Sequence, residues 1–220
     1  MFRFLAVVCL NFVFNNVWAD CDVTSKFNIN VTVSPVKYDY SKSSNQIKKI
    51  PNIRTSNESQ YLLGAYIPLL SIGLNYQNIR ENYFSRTCNK ITTMNVHLKL
   101  DSTIFIAKEI QPFSCTLNRT LQHEQSHYNF EKQGVEVGVE YLRKSLEPVF
   151  SQKFYGSQAQ YNNFMRNQMD ILQKNTLNLI ENYSAKRHAG IDTLENYRKE
   201  SQLCSSTEQQ MIAKSILSIY

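Results

Sequence analysis

The chain has 220 residues, of which 42% are hydrophobic and 19% are charged, and its formal net charge is +6. That length suits one domain of ordinary size, and the composition excludes a wholly disordered chain. The basic residues are scattered and form no Lys/Arg-rich block, so no nucleic-acid partner is expected.

The N-terminus has the pattern of a signal peptide. Arg3 supplies a positive charge, residues 4–14 are mostly apolar, and Val17 and Ala19 stand where a signal peptidase requires small residues. We therefore predict removal of residues 1–19, with an uncleaved membrane anchor as the alternative. No later segment is long and apolar enough to predict a membrane span. The mature protein is expected in the periplasm or secreted.

Cysteine usage agrees with export. Cys9 lies in the signal peptide, and the four cysteines that remain are an even number for an oxidising compartment. Four cysteines allow three pairings, of which we predict Cys88–Cys115 together with Cys21–Cys204, which would tie the termini. A metal site built from the cysteines is not expected, because the chain has no Cys-x-x-Cys pair.

The first half of the mature chain, residues 20–110, has the pattern of β-strands. Apolar residues alternate at the start of residues 22–39, and residues 61–76 are again apolar and β-prone. Between them, residues 40–59 are polar and predict a loop. Residues 90–107 predict one or two further strands, whose inward face would hold Met94, Val96, Leu98 and Leu100.

The second half, residues 111–220, reads as helical. One helix is predicted from near Ser114 to near Leu146, another over about 157–183, a third after Gly190, and a last one that holds Met211, Ile212, Ile216 and Leu217. Breaks are expected at Gly134, Gly138, Pro148, Gly156 and Gly190. The predicted fold is a single α+β domain over residues 20–220, in which a small antiparallel sheet packs on a helical part with a motif helix and a long antiparallel helix.

The main functional signal is the segment His-Glu-Gln-Ser-His that runs from His123 to His127. Histidines four residues apart lie on one face of a helix, so both imidazoles can reach one metal ion at about 2.0–2.1 Å. Glu124 is poorly placed to be a ligand, but it can accept a hydrogen bond from a metal-bound water. We therefore predict that His123 and His127 bind Zn²⁺ and that Glu124 is the general base. The alternative is a solvated helix face that carries two histidines.

A catalytic zinc site needs a third protein ligand and an open position for water. We predict His188, which is the only histidine after the motif and stands just past a long helix that can return antiparallel to the first. An interaction with the helix dipole is the alternative role for His188. Three acidic residues are rival candidates for the third ligand: Glu131, Asp192 and Glu195. Glu131 ranks low among them because it lies one turn farther along the motif helix, away from the metal.

Two further side chains are candidates for contact with a substrate. The hydroxyl of Tyr183, five residues before His188, can stabilise the oxyanion that forms when water attacks a carbonyl. His97 is expected on the polar face of a strand, where it is either solvated or, if the strand flanks the cleft, close to the substrate.

The stretch from Leu121 to Tyr128 resembles the His-Glu-Gln-Gly-His-Phe signature of a bacterial domain family of unknown function, number nine-twenty-two. Its members are described as predicted secreted zinc-dependent proteases. Residues 64–76 and the strand around Val96 resemble the region upstream of that signature. The resemblance implies a strand-rich first half, then the motif helix and a long helical hairpin. Ser126 stands where the family has glycine.

The family also carries a downstream Tyr-Asp-x-x-Thr-x-His-Gly stretch, whose histidine is its natural third ligand. Residues 183–190 of this chain correspond to that stretch, so the resemblance also assigns the third ligand to His188. The match departs from the family at Ser184, which replaces the aspartate. The threonine is missing, and the spacing from tyrosine to histidine is shorter by one residue.

The expected function is an exported zinc-dependent metallopeptidase-like hydrolase that acts on a peptide or protein, with a water activated by Glu124 attacking an amide carbonyl. One alternative is a non-catalytic exported envelope or binding protein that keeps the fold. Another is an amidase that acts on cell-wall material with the same residues. The basic net charge would suit an anionic envelope polymer.

Overall fold

The computed structural model describes Cys21 and residues 23–51, 61–83 and 86–217. The predicted signal peptide lies outside the described residues. Within these ranges, no helix is both long enough and apolar enough to cross a membrane. The chain forms a five-stranded sheet followed by a mostly helical second half, which confirms the α+β class.

The sheet is built around one long central strand. Its strands are β1 (Lys26–Val33), β2 (Lys37–Asp39), β3 (Gly64–Tyr83), β4 (Arg86–Ile106) and β5 (Phe154–Tyr155). The antiparallel partner of β4 along its whole length is β3, and the opposite side of β4 pairs in turn with β5, β1 and β2. Both β1 and β2 run parallel to β4, so the sheet is mixed rather than purely antiparallel as predicted.

The two faces of the sheet differ in polarity as the alternation predicts. The inward residues of β4 are at most 1% exposed and pack with α2 and α3 in the main apolar core; they are Met94, Val96, Leu98 and Leu100. On the outer face, Asn28 donates a hydrogen bond to Asn95, which donates to Asn75. His97 is exposed on the same outer face, away from the helices, so it does not flank the site described below.

The helices are longer than predicted. They are α1 (Ser44–Lys48), α2 (Ser114–Phe150), α3 (Gln158–Ile191), α4 (Leu194–Gln202) and α5 (Ser206–Leu217). Gly134, Gly138 and Pro148 do not interrupt α2, and Gly190 lies inside α3. A glycine in a helix costs only about 1 kcal/mol relative to alanine, which tertiary packing can offset. The short α1 lies in the segment that was predicted to be loop, where the Ser43 side chain caps it.

Two disulfides join the four described cysteines, Cys21 to Cys88 and Cys115 to Cys204, so the predicted pairing is wrong. Cys88 is near the start of β4 and Cys115 follows its end, so a strand length on the order of 60 Å separates them. The parallel pairing of β1 with β4 begins at Lys26 and Thr93. Cys21 lies five residues before Lys26, and Cys88 lies five residues before Thr93. Parallel pairing therefore places Cys21 beside Cys88. The two bonds indicate an oxidising, extracellular-type environment.

Candidate metal centre

The motif residues lie on one buried face of α2, as their spacing predicts. His123, Glu124 and His127 are each 6–7% exposed, and the Nε2 atoms of the two histidines are 3.1 Å apart. The histidines are one helical turn apart, so their rings project from the same face toward α3. This arrangement excludes the alternative of a solvated helix face.

The antiparallel α3 completes the site because it packs closely against α2 at two glycines. A Cβ atom at Gly134 would lie 2.7 Å from the Oγ atom of Ser184, and one at Gly138 would lie 2.6 Å from the side chain of Ile180. The small residues thus allow a backbone approach that larger side chains would prevent. At the end of α3, this brings Asp192 beside the two histidines of α2.

Three side-chain atoms converge on one point at the ends of these helices. The Oδ1 atom of Asp192 lies 3.1 Å from Nε2 of His123 and 3.1 Å from Nε2 of His127. With the two nitrogens 3.1 Å apart, the three atoms form an equilateral triangle. We call these three residues the metal group. They form the one group of possible metal ligands, among the described residues, that involves the predicted motif.

The triangle fits a metal ion better than it fits hydrogen bonds alone. Both imidazoles can donate to the carboxylate, but their N–H groups would then face each other across the third edge. A point about 2.1 Å from all three atoms exists at this spacing, which matches zinc bonds to imidazole and carboxylate. Two imidazoles and one carboxylate also suit other first-row metals such as iron, so the donor set does not identify the ion.

His188 lies next to the metal group but does not form its third corner. Its Nδ1 atom is 2.6 Å from Nδ1 of His127, the ring nitrogen that does not belong to the triangle. Its Nε2 atom lies 3.5 Å from Oε2 of Glu131. The structure therefore puts Asp192 where His188 was predicted. The reason is that α3 continues to Ile191, which carries the chain one further turn along α2.

The other residues that the sequence singled out lie outside the metal group. Glu131 faces His188, one turn away from the triangle. Glu195 is 75% exposed and pairs with Lys199 at 2.7 Å. Tyr183 donates a hydrogen bond to Gln133, and the guanidinium of Arg187 lies 3.8 Å from its ring centre, so the tyrosine is engaged elsewhere.

Two residues of α4 reach the site and were missed by the sequence analysis. The hydroxyl of Tyr197 donates to Oδ1 of Asp192 at 2.9 Å and lies 3.4 Å from Nε2 of His123. Glu200 lies 3.5 Å from Nδ1 of His123, the nitrogen outside the triangle. Neither residue belongs to a recognisable motif. Their one available signal is that they follow Asp192 within a short polar helix.

Glu124 is held by the start of β3. Its carboxyl group accepts a hydrogen bond from the backbone of Tyr66, and a Cβ atom at Gly64 would lie 2.9 Å from its Oε1 atom. Burial raises the pKa of Glu124 to about 8, although the charge of His123 opposes this effect. A cation bound by the neighbouring histidines would oppose the effect of burial and favour the ionised carboxylate, which is the form that accepts a proton.

The pKa values of Asp192, His123 and His127 depend on the balance between burial and their charged or hydrogen-bonded partners. Burial acts to raise the pKa of Asp192, but hydrogen bonds from His123 and His127 outweigh it and lower that pKa well below its usual value. Burial acts to lower the pKa of His123, yet the hydrogen bond to Asp192 and nearby carboxylates raise it overall. Burial dominates for His127, whose pKa is lowered. Asp192 is thus an anion that faces two imidazoles.

A second group of possible ligand atoms contains Cys115, Cys204 and Glu208. Its two cysteines are bonded to each other, so their thiolates are not free to bind a metal. Glu208 instead accepts a hydrogen bond from the backbone N–H of Thr116, in the first turn of α2. This group therefore anchors the C-terminal helices to α2.

Comparisons with protein-family models, with curated proteins and with solved structures gave no match.

Proposed function

We propose that the chain is a zinc-dependent hydrolase that cleaves amide bonds in peptides. The triangle formed by His123, His127 and Asp192 supports this proposal most directly, because three ligand atoms 3.1 Å apart leave room for zinc and an open coordination position. In such a site zinc polarises a carbonyl and lowers the pKa of a water molecule. The two disulfides agree with an exported enzyme.

In this proposal one residue transfers the proton and another stabilises the negative charge that develops on the substrate. Glu124 takes the proton of the attacking water and returns it to the leaving amine nitrogen. Its hydrogen bond from Tyr66 and its contact with Gly64 hold the carboxyl group in one orientation. The hydroxyl of Tyr197 lies at the edge of the triangle, where its one O–H is donated to Asp192. In this proposal the O–H turns from Asp192 to the carbonyl oxygen as negative charge develops there.

The test begins with metal content. The purified protein, stripped with a chelator and dialysed against Zn²⁺, should retain about one zinc per chain by mass spectrometry. Asp192→Asn should weaken zinc binding by more than about 100-fold, because it replaces a ligand and not merely a supporting contact. Glu195→Gln, three residues away and exposed, is the matched control and should bind zinc like the wild type. A wild-type protein that takes up no zinc would refute the proposal.

Catalysis is tested separately from binding. Glu124→Gln should keep the zinc and lose about 100- to 10,000-fold in kcat, since general base catalysis contributes that much. Peptide libraries and isolated cell-wall material, assayed side by side, distinguish a peptidase from a cell-wall amidase. A metal-dependent cleavage that Glu124→Gln leaves unchanged would refute the role of Glu124. If the zinc-loaded wild type cleaves neither material, the protein is instead a non-catalytic metal-binding protein.

A further inference from the structure

His188 and Glu131 form a hydrogen-bonded chain that ends on the metal group. Nδ1 of His127 faces Nδ1 of His188 at 2.6 Å, and Nε2 of His188 faces Oε2 of Glu131 at 3.5 Å. The three side chains are only 10%, 23% and 7% exposed, in the order His127, His188 and Glu131. Little water can therefore compete for these hydrogen bonds.

If Nε2 of His127 binds a metal, only one assignment of hydrogen-bond donors and acceptors along His127, His188 and Glu131 is possible. A neutral imidazole has a single N–H, so that of His127 is then on Nδ1 and points at His188. Nδ1 of His188 must accept this hydrogen bond, which leaves the N–H of His188 on Nε2. That N–H points at the carboxylate of Glu131, so every donor in the chain has an acceptor.

The two helices produce this chain through matched spacing. On α2, His127 and Glu131 are four residues apart and lie on successive turns of one face. His188, in the last turn of the antiparallel α3, and Asp192, which follows the end of that helix, are also four residues apart. The result is that Asp192 meets the Nε2 edge of His127, while His188 meets the Nδ1 edge of the same ring.

We propose that His188 and Glu131 are positioning residues, which fix the tautomer and the ring orientation of His127 so that Nε2 faces the metal. This inference rests on the proposed metal site and deepens it. His188, the ligand expected from the sequence, thereby acts through another ligand. Partners of this kind strengthen a metal-binding histidine, and their loss costs about 10- to 100-fold in metal affinity.

A pair of substitutions at His188 tests the inference. His188→Asn keeps an amide oxygen near the position of Nδ1, whereas His188→Leu keeps similar bulk but no acceptor. Zinc affinity, measured by competition with a chelating dye, should fall about 10- to 100-fold in the leucine variant and remain within a few-fold of wild type in the asparagine variant. Circular dichroism of the metal-free proteins checks that both fold. The opposite order of affinities would indicate a packing role and overturn the inference.

Nuclear magnetic resonance of the full chain, with ¹⁵N-labelled histidines and loaded with ¹¹³Cd, gives a second readout. We expect ¹¹³Cd–¹⁵N coupling to His123 and His127 and none to His188, whose proton should be on Nε2. Coupling to His188 would show that it is a ligand, which overturns this inference and leaves the metal site intact. A protein that takes up neither zinc nor cadmium would overturn the metal site and the inference together.

Discussion

The candidate site is built from pairs of residues that are four positions apart in sequence. One pair is His123 and His127 on α2, and the other is His188 and Asp192 at the C-terminal end of α3. The sequence predicted that the rings of His123 and His127 lie together on one face, because their separation within one helix fixes their geometry. It gave Asp192 only as a rival to His188 for the third corner, because that position depends on where α3 ends and on how α3 is aligned along α2. His188 is one turn before Asp192, which explains why a ligand chosen as the next histidine falls one turn short.

The two tyrosines that have been considered for the oxyanion can be compared directly. Tyr197→Phe should keep the bound zinc and lower kcat by about 100- to 1,000-fold, because it removes a hydrogen-bond donor from the developing charge. Tyr183→Phe removes the same hydroxyl from a residue whose partners are Gln133 and Arg187, so its kcat should match that of the wild type. Both are measured on one peptide substrate, with zinc content determined in parallel. Equal effects of the two changes would contradict the assignment.

At the scale of elements, α2 and α3 form the site only because they lie close together. The sequence pattern marked Gly134 and Gly138 as breaks, since glycine is a poor helix former. In the structure both glycines are inside α2 and face α3. A single sequence gives no sign that a glycine has been placed for helix contact rather than for a turn, so neither the length of α2 nor its distance from α3 could be predicted.

Gly134→Ala tests this close contact. The added methyl group would lie 2.7 Å from Ser184 Oγ and 3.1 Å from the carbonyl oxygen of Ile180. The serine side chain must therefore turn away, and the two helices must move apart by a few tenths of an ångström. We expect a loss of about 1–3 kcal/mol in the free energy of unfolding, as for other overpacked contacts, together with weaker zinc binding. Gly190→Ala is the control, because among the described residues its added methyl group would meet no atom within 4 Å beyond its own helix backbone and chain neighbours. It should be neutral or stabilising by up to about 1 kcal/mol, with zinc affinity unchanged.

The α4 helix contributes to the site although it buries none of its residues. It places Tyr197 and Glu200 against His123, and it lies between Asp192 and Cys204. Since α4 has no buried residue, its position depends on these polar contacts and on its two ends. The C-terminal end is bonded through Cys204 to the first turn of α2, and α5 follows with Ile212 and Ile216 in an apolar cluster.

The two disulfides provide a matched comparison for the role of α4. Their loops span 67 and 89 residues, so each removal should cost about 4 kcal/mol in the free energy of unfolding by the chain-entropy model. Replacement of Cys115 and Cys204 by serine should also weaken zinc binding, because it frees the end of α4. Replacement of Cys21 and Cys88 by serine should leave zinc affinity unchanged. Thermal unfolding and dye competition measure the two effects, and a loss of affinity in both pairs would contradict a specific role for α4.

For the whole molecule, the sequence predicted the division into a strand-rich half and a helical half because hydrophobic periodicity changes from two to about 3.6 near residue 110. It also predicted the inward face of β4, which is fully buried. The mixed sheet was missed because periodicity reports which side of a strand is buried and says nothing of the direction of its neighbours.

The order of the disulfides along the chain has a consequence for biosynthesis. The four described cysteines are bonded in consecutive pairs along the sequence. The first is bonded to the second, Cys21 to Cys88, and the third to the fourth, Cys115 to Cys204. If residues 1–19, which include Cys9, are removed as the sequence predicts, a chain that enters an oxidising compartment from its N-terminus exposes these four thiols in the same order. An oxidase that joins each newly arrived thiol to the one still waiting would therefore produce the native bonds directly, with no later exchange by an isomerase. The strand-rich half would be covalently closed before the helices that carry the metal group have been delivered.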